Sequence, residues 1–350
     1  MSKATKLSSL IYYDLRHGQI LPMEPPSEPV VMCLGNFDGV HTAHVSLLRQ
    51  GLALRDQRMP HALCGVFTFL HPSSDYMRTS SQDNESDAQN RPFLRRAAKR
   101  EHLTTLSEKL RLFSSLGLDF ACLCDFSELC GWSPKHFLTF LSNDLSVRGA
   151  VCGFNYRFGA SGRGTSDTLT AYFDRPDEGF YCHVAPPFCI DGDTVSSTRI
   201  RQLLLAGDTE KATSYLGRPY ALEAEVVKGK QLGRKLGFPT ANQFFPEDRL
   251  IPAHGVYAVL CHTPQGILPG VANVGSHPTV DEHAAVNCET HVLYSSLELY
   301  GCRMKVEFID YLRPERHFPS PERLKEAIDN DIIRADFSVW AYLNKMDAPK

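Results

Sequence analysis

Gly233-Arg234-Lys235-Leu236-Gly237-Phe238-Pro239-Thr240-Ala241-Asn242 sets two glycines, a basic pair, a proline and two short polar side chains within ten residues. Glycine lets backbone approach a ligand closely, and Pro239 fixes one φ angle while removing a donor. Thr240 and Asn242 then offer oxygens suited to a hard cation carrying phosphates. Taken alone, the decamer also reads as an ordinary loop between strands. Its surroundings are strand-like. Short β-type runs at residues 221–227, 256–261, 267–271, 290–294 and 304–309 are separated by Gly, Pro and Asn, the pattern of an antiparallel sheet or small barrel. Ser320 and Pro321 then open a helix with Leu324, Ala327, Ile328 and Ile332 on one side.

Ahead of Gly217-Arg218-Pro219-Tyr220 the rhythm differs. Val30–Leu34 is a continuous apolar run, which suits a strand buried on both faces of a parallel sheet. Gly35-Asn36-Phe37-Asp38-Gly39-Val40-His41-Thr42-Ala43-His44 follows, and helical spacing continues through Val45, Leu47, Leu48, Leu52 and Leu54. Strand, glycine turn, helix is the layout that points backbone N–H groups and a positive dipole end at phosphate. Residues 61–70 and Phe120–Cys124 read as further strands, and residues 106–116 and the segment opened by Ser133-Pro134 as helices. This alternation predicts a doubly wound α/β domain with ligands at the C-terminal strand ends. Residues 151–159 run from strand into a glycine turn, and Ser196-Ser197-Thr198 can cap the helix that Ile200, Leu203 and Leu204 continue. Residues 1–29 read as a lead-in and residues 73–101 as a mobile polar loop.

A length of 350 residues suits two domains, placed at 1–216 and 217–350. A net charge of -3 gives no general attraction to nucleic acid or an anionic membrane, so a small molecule or a protein is the expected partner. The eleven cysteines include no C-x-x-C pair and read as reduced, buried small hydrophobes. The first 16 residues lack a signal-peptide core, and no apolar run approaches the roughly 20 residues of a membrane span. The expected compartment is the cytoplasm.

The decamer resembles the phosphate-binding segment of riboflavin kinases, G-[RK]-x-L-G-F-P-T-A-N. Residues 35–44 resemble G-N-F-D-G-V-H-x-G-H of FAD synthetases, and Val195–Arg201, written Val195-Ser196-Ser197-Thr198-Arg199-Ile200-Arg201, resembles [IV]-S-S-T-x-[IV]-R. Cys288-Glu289-Thr290-His291-Val292-Leu293 completes the set. On these segments the chain is identified as a member of the bifunctional bacterial riboflavin kinase/FAD synthetase family. The resemblance implies a Rossmann-like nucleotidyltransferase domain followed by a mainly β riboflavin-kinase barrel with a C-terminal helix. It implies phosphorylation of riboflavin to FMN and adenylylation of FMN to FAD, with ATP as co-substrate, Mg²⁺ as cofactor and pyrophosphate released. It assigns Glu289 as base for the ribityl hydroxyl, and Thr240 and Asn242 as ligands of Mg²⁺ and phosphate within a loop containing Gly229, Gly233 and Gly237. His41, His44 and Asn36 fall to the ATP phosphates, with Ser197, Thr198 and Arg201 opposite them, and Asn155 to the flavin nucleotide. Ala43 stands where the family carries glycine, which keeps open a riboflavin kinase with an impaired adenylyltransferase half. A flavin-binding regulator is the non-enzymatic alternative. Riboflavin, FMN and ATP are the expected partners, beside a weak homo-oligomer.

Overall fold

Burial begins earlier in the chain than composition suggests. In the computed structural model Ile11–Asp14 (β1) is a strand and is followed by Leu21–Pro22 (β2). Tyr12 and Leu15 are buried, and removing two large side chains from water is reason enough for the segment to join the core. This corrects the reading of residues 1–29 as a lead-in. The structure describes residues 10–70, 101–229, 233, 237–246, 248–276, 286–295 and 298–347, with the backbone of 76–78 and 94–96.

The first unit, residues 1–195, continues through Val30–Leu34 (β3), Thr42–Arg58 (α1) and Leu63–Phe69 (β4). A short antiparallel pair follows, Tyr76–Arg78 (β5) with Leu94–Arg96 (β6). Most of the 73–101 loop lies outside the described residues. Leu106–Ser115 (α2), Phe120–Cys124 (β7), Phe126–Leu129 (α3), Pro134–Thr139 (α4) and Val147–Gly153 (β8) come next. Arg157–Phe158 (β9) pairs with Gly164–Thr165 (β10) before Ser166–Phe173 (α5) and Tyr181–Ala185 (β11). Cys189–Ile190 (β12) and Asp193–Thr194 (β13) close the unit.

The sheet order is β11-β8-β3-β4-β7-β1-β2. The five strands from β11 to β7 run parallel, and β1 pairs antiparallel with β7. All five residues of β3 are buried. Val30, Met32 and Leu34 face a core shared with Phe137 and Leu141, while Val31 and Cys33 face one shared with Leu48 and Phe113. Two covered faces explain the unbroken apolar run. From β3 the chain winds outward to β4 and β7, then returns to β8 on the other side. The switch point of the sheet is therefore the gap between β3 and β8.

The second unit, residues 196–350, opens with Ser197–Leu205 (α6) and Thr209–Leu216 (α7). Within it Ala253 N donates to Leu204 O (3.0 Å), and Thr209 Oγ1 donates to Ile309 O (3.2 Å). Gly217, at φ 74, ends α7 in the left-handed conformation. The strands are Tyr220–Glu225 (β14), Ala241–Phe244 (β15), Gly255–Thr263 (β16), Gly266–Ser276 (β17), Val286–Val292 (β18) and Arg303–Arg313 (β19). They form one antiparallel sheet in the order β14-β19-β16-β17-β18-β15.

The two edges of that sheet meet. Gln243 Nε2, on β15, donates to Ala224 O of β14 (2.8 Å) and to Met304 O of β19 (2.7 Å). Val227 N donates to Asn242 O (2.9 Å). Closure leaves few unpaired edge groups, and the result is a six-stranded near-barrel. Its sixth strand, β15, starts inside the glycine-rich decamer and escaped the run-based reading, because a four-residue strand with two polar positions carries little pattern. Pro321–Asp347 (α8) packs Ala335 and Val339 on Val256, Ala258 and Leu260 of the barrel. Arg313 grips Asp331 of α8 through Nε (3.0 Å) and Nη2 (2.6 Å). Among the described residues no helix is long and apolar enough to cross a membrane.

Candidate functional site

In the first unit the turn after β3 carries backbone strain. Phe37 has φ 49 and Val40 φ 39, left-handed values that a bulky or β-branched residue seldom adopts, and Gly39 has φ 83. Such residues cost about 1–3 kcal/mol each and persist only where the surroundings over-determine them. The restraints are visible. The buried Asp38 carboxylate accepts from Leu103 N (3.1 Å) and Thr104 N (3.3 Å). Thr104 Oγ1 accepts from Gly39 N (2.9 Å), and Phe37 lies edge-on to Phe113 and His44. The Asn36 carbonyl accepts from Thr68 Oγ1 (3.2 Å) and Lys109 Nζ (3.0 Å).

That turn delivers His41 and His44 to the start of α1. His41 is the N-cap, its Nδ1 accepting from His44 N (3.3 Å). The two rings stack at 3.6 Å between centroids with 14° between planes. Burial pushes the His44 imidazole well below the usual histidine range, and the charges of His41 and Lys109 push the same way. A neutral ring follows, able to donate to phosphate from one nitrogen. Asn36 follows β3 and Asn155 follows β8, so they flank the switch point, although Asn155 is exposed. Ala43 lies in the first turn of α1 with an ordinary φ. Lys109, buried at 4% exposure, was missed in the sequence. Its signal was a lysine on the same helix side as Leu106, Leu110 and Phe113.

Ser197, Thr198 and Arg201 belong to the second unit, on α6. Ser196 is the N-cap and accepts from Arg199 N (3.3 Å), which leaves Ser197 as the first helical residue and Thr198 exposed.

The barrel brings the remaining residues together. Asn242 on β15 and Asn273 on β17 both stand opposite Glu289 on β18. Asn287, two residues before Glu289 and so on the same strand face, donates from Nδ2 to Asn242 Oδ1 (3.1 Å) and to Glu289 Oε1 (3.2 Å). A Cβ built on Gly229 would stand 2.5 Å from Asn242 Nδ2, and one on Gly233 would stand 2.3 Å from Phe238 O. Glycine at both positions is thus a condition of close approach by the loop. Gly237 has φ 92. Thr240 lies next to β15, where His291 Nδ1 pairs with Pro239 O (2.8 Å). Arg234 and Lys235 lie outside the described residues. The oxygen-rich neighbourhood of Thr240, Asn242 and Glu289, under a loop a Cβ would fill, fits a hard divalent cation and its phosphates.

Comparison with known proteins finds two family models on the chain. The family model for FAD synthetase matches residues 23–199 and that for riboflavin kinase matches residues 216–338. A bifunctional riboflavin kinase/FMN adenylyltransferase of Listeria monocytogenes is 32% identical over 306 residues, covering 86% of this chain and 90% of its own. One from Escherichia coli K12 is 33% identical over 316 residues, covering 89% and 93%. A crystal structure of a macrolide-efflux protein from Streptococcus pneumoniae has the same fold, with a TM-score of 0.76 at 26% identity over 90% of this chain and 95% of that one. With one family model on each unit's strand-and-turn motifs and relatives aligned across both, the chain belongs to the bifunctional riboflavin kinase/FMN adenylyltransferase family.

Proposed function

We propose that this chain converts riboflavin to FMN in its second half and FMN to FAD in its first, using ATP in both steps. The observation that carries the kinase reading is the barrel cluster: Asn242 and Glu289 face each other across neighbouring strands and share the Asn287 amino group. In the kinase step the ribityl hydroxyl attacks the γ-phosphorus of ATP and ADP departs. Glu289 orients that hydroxyl and takes its proton. Gly229, Gly233 and Gly237 leave room for backbone to approach the phosphates, and Thr240 and Asn242 would hold Mg²⁺. The ion, when bound, neutralises charge building on the transferred group.

In the adenylyl transfer step a phosphate oxygen of FMN attacks the α-phosphorus of ATP and pyrophosphate leaves. His41, His44 and Asn36 steady the ATP phosphates at the strained turn, and Asn155 meets the flavin nucleotide. Ser197, Thr198 and Arg201, at the start of α6, offer hydroxyls and positive charge to an ATP phosphate. The two reactions are divided at residues 216/217. No covalent protein intermediate is required.

The chain acts in the cytoplasm on small molecules, without nucleic acid. It self-associates weakly. Ile333, Phe337 and Trp340 form an exposed stripe on α8 facing away from the barrel, with Leu343 and Met346 beyond it. A buried aromatic covers about 150–250 Å², so two copies pairing there would bury on the order of 1,200 Å², the low end for a specific interface.

Purified protein given riboflavin, ATP and Mg²⁺ should form FMN and then FAD. Absence of FMN ends the kinase reading. FMN supplied directly, with no FAD formed, would favour the impaired first half that Ala43 raises.

A further inference from the structure

Asn287 belongs to none of the sequence segments that mark the family, yet it occupies the centre of the barrel cluster. It is 3% exposed. Its single amino group serves two acceptors, Asn242 Oδ1 at 3.1 Å and Glu289 Oε1 at 3.2 Å. Two oxygens that converge on one point repel each other unless a donor stands between them. Asn287 Nδ2 is that donor. Its own Oδ1 is buried and has no hydrogen-bond partner among the described residues. A side chain selected for packing alone would not keep an unsatisfied buried carbonyl, since a leucine of similar size would fill the space without that penalty.

We propose that Asn287 is a positioning residue of the kinase reaction, holding the Asn242 carboxamide and the Glu289 carboxylate as one unit so that the base meets the attacking hydroxyl in a fixed geometry. The inference rests on the reading of Glu289 and Asn242 given above. Fixing a reactive group through a partner one bond further out is worth about 10–100-fold in comparable outer-shell positions. Because the effect is one of orientation, it should appear in turnover and leave flavin binding intact. A fold defect would move both.

The test uses the full chain with Asn287→Leu, Asn287→Asp and, in parallel, Glu289→Ala. Asn287→Leu removes the donor and the orphaned carbonyl together, and Asn287→Asp keeps the shape but replaces the donor with a third oxygen. Four quantities are read: kcat for FMN formation, the riboflavin Kd from flavin fluorescence, the thermal midpoint, and the rate of FMN-to-FAD conversion as an internal control. Both Asn287 variants should lose about tenfold or more in kcat while riboflavin Kd, midpoint and FAD formation stay near wild type. The proposal falls if Glu289→Ala is inactive while both Asn287 variants turn over at wild-type rate. It falls equally if kcat drops only in step with the midpoint and with FAD formation. FMN formation by Glu289→Ala overturns the base assignment itself, and Asn287's role with it.

Discussion

At the scale of single residues, each candidate site holds some polar side chains out of bulk water: Asp38 and His41 in the first unit, Asn242 and Asn287 in the second. Glu289 has the clearest consequence. Glu289→Ala should abolish FMN formation and leave FMN-to-FAD conversion intact, as measured by following the two products separately. His44 has a different signature. The folded protein resists protonating it, since partial burial and the charges of His41 and Lys109 oppose a positive ring that stacks on His41 beside the edge of Phe37. Its folded pKa lies below the unfolded value, so the stability it leaves intact is fully present above about pH 6.5 and is lost as pH falls below that. Replacing it with a side chain that does not titrate should remove part of that loss. His44→Asn should therefore show a smaller drop in melting temperature than wild type between about pH 7.5 and about pH 5.5. Glu289 and the histidines stand out in the sequence because each sits in a dense local motif. Asn287 and Lys109 do not, because Asn242, which Asn287 joins to Glu289, lies 45 residues from it, and the Asn36 carbonyl that Lys109 reaches lies 73 residues away.

Among elements, the turn after β3 carries left-handed residues, and Gly233 ahead of β15 leaves no room for a Cβ. Gly233→Ala sets a Cβ against the Phe238 carbonyl. Backbone has to shift to make room, and kinase activity should fall about tenfold or more with adenylyl transfer unaffected. The α8 anchor is a matter of stability. Arg313 and Asp331 form a paired charge with side chains only 13% and 5% exposed. Asp331→Ala strands the guanidinium and should cost on the order of 3 kcal/mol in urea unfolding of the second unit. The length of α8 was only half legible. Ser320, Pro321 and the apolar side up to Ile332 marked its start, while Phe337 and Trp340 fall on the outer face and break the single-stripe pattern that would have extended it. β1 was hidden for the opposite reason: an edge strand of four residues followed by prolines shows no periodicity, and only pairing with β7 makes it a strand.

For the whole molecule, two units with unlike scaffolds imply two separable reactions. In the whole chain, Glu289→Ala is expected to form no FMN, and His41→Ala to form FMN but no FAD. A mixture of the two should restore FAD from riboflavin, because FMN released by one reaches the other through solution. Failure of the mixture, with each partner active in its own half-reaction, would mean that FMN does not leave the chain that made it. The outer stripe of α8 gives a second whole-molecule expectation. Phe337→Ser with Trp340→Ser should reduce self-association in sedimentation velocity and leave both activities unchanged, since neither residue belongs to the reacting groups.

What the sequence determined by itself was local: continuous apolar strands, glycine turns, capped helices, the change from α/β alternation to short strands, and the motifs that place the chain in its family. Those features depend on neighbours a few residues apart, where backbone preference and side-chain period are written directly. What only the tertiary structure decided was which distant groups meet. Asp38 reaches Thr104 across 66 residues to hold a strained turn, Gln243 closes the barrel from β15 to β14 and β19, and Asn287 joins Asn242 to Glu289. Such meetings follow from strand register and from which faces are buried together. Those are set by the free energy of the packed chain as a whole, and no short window of residues contains it.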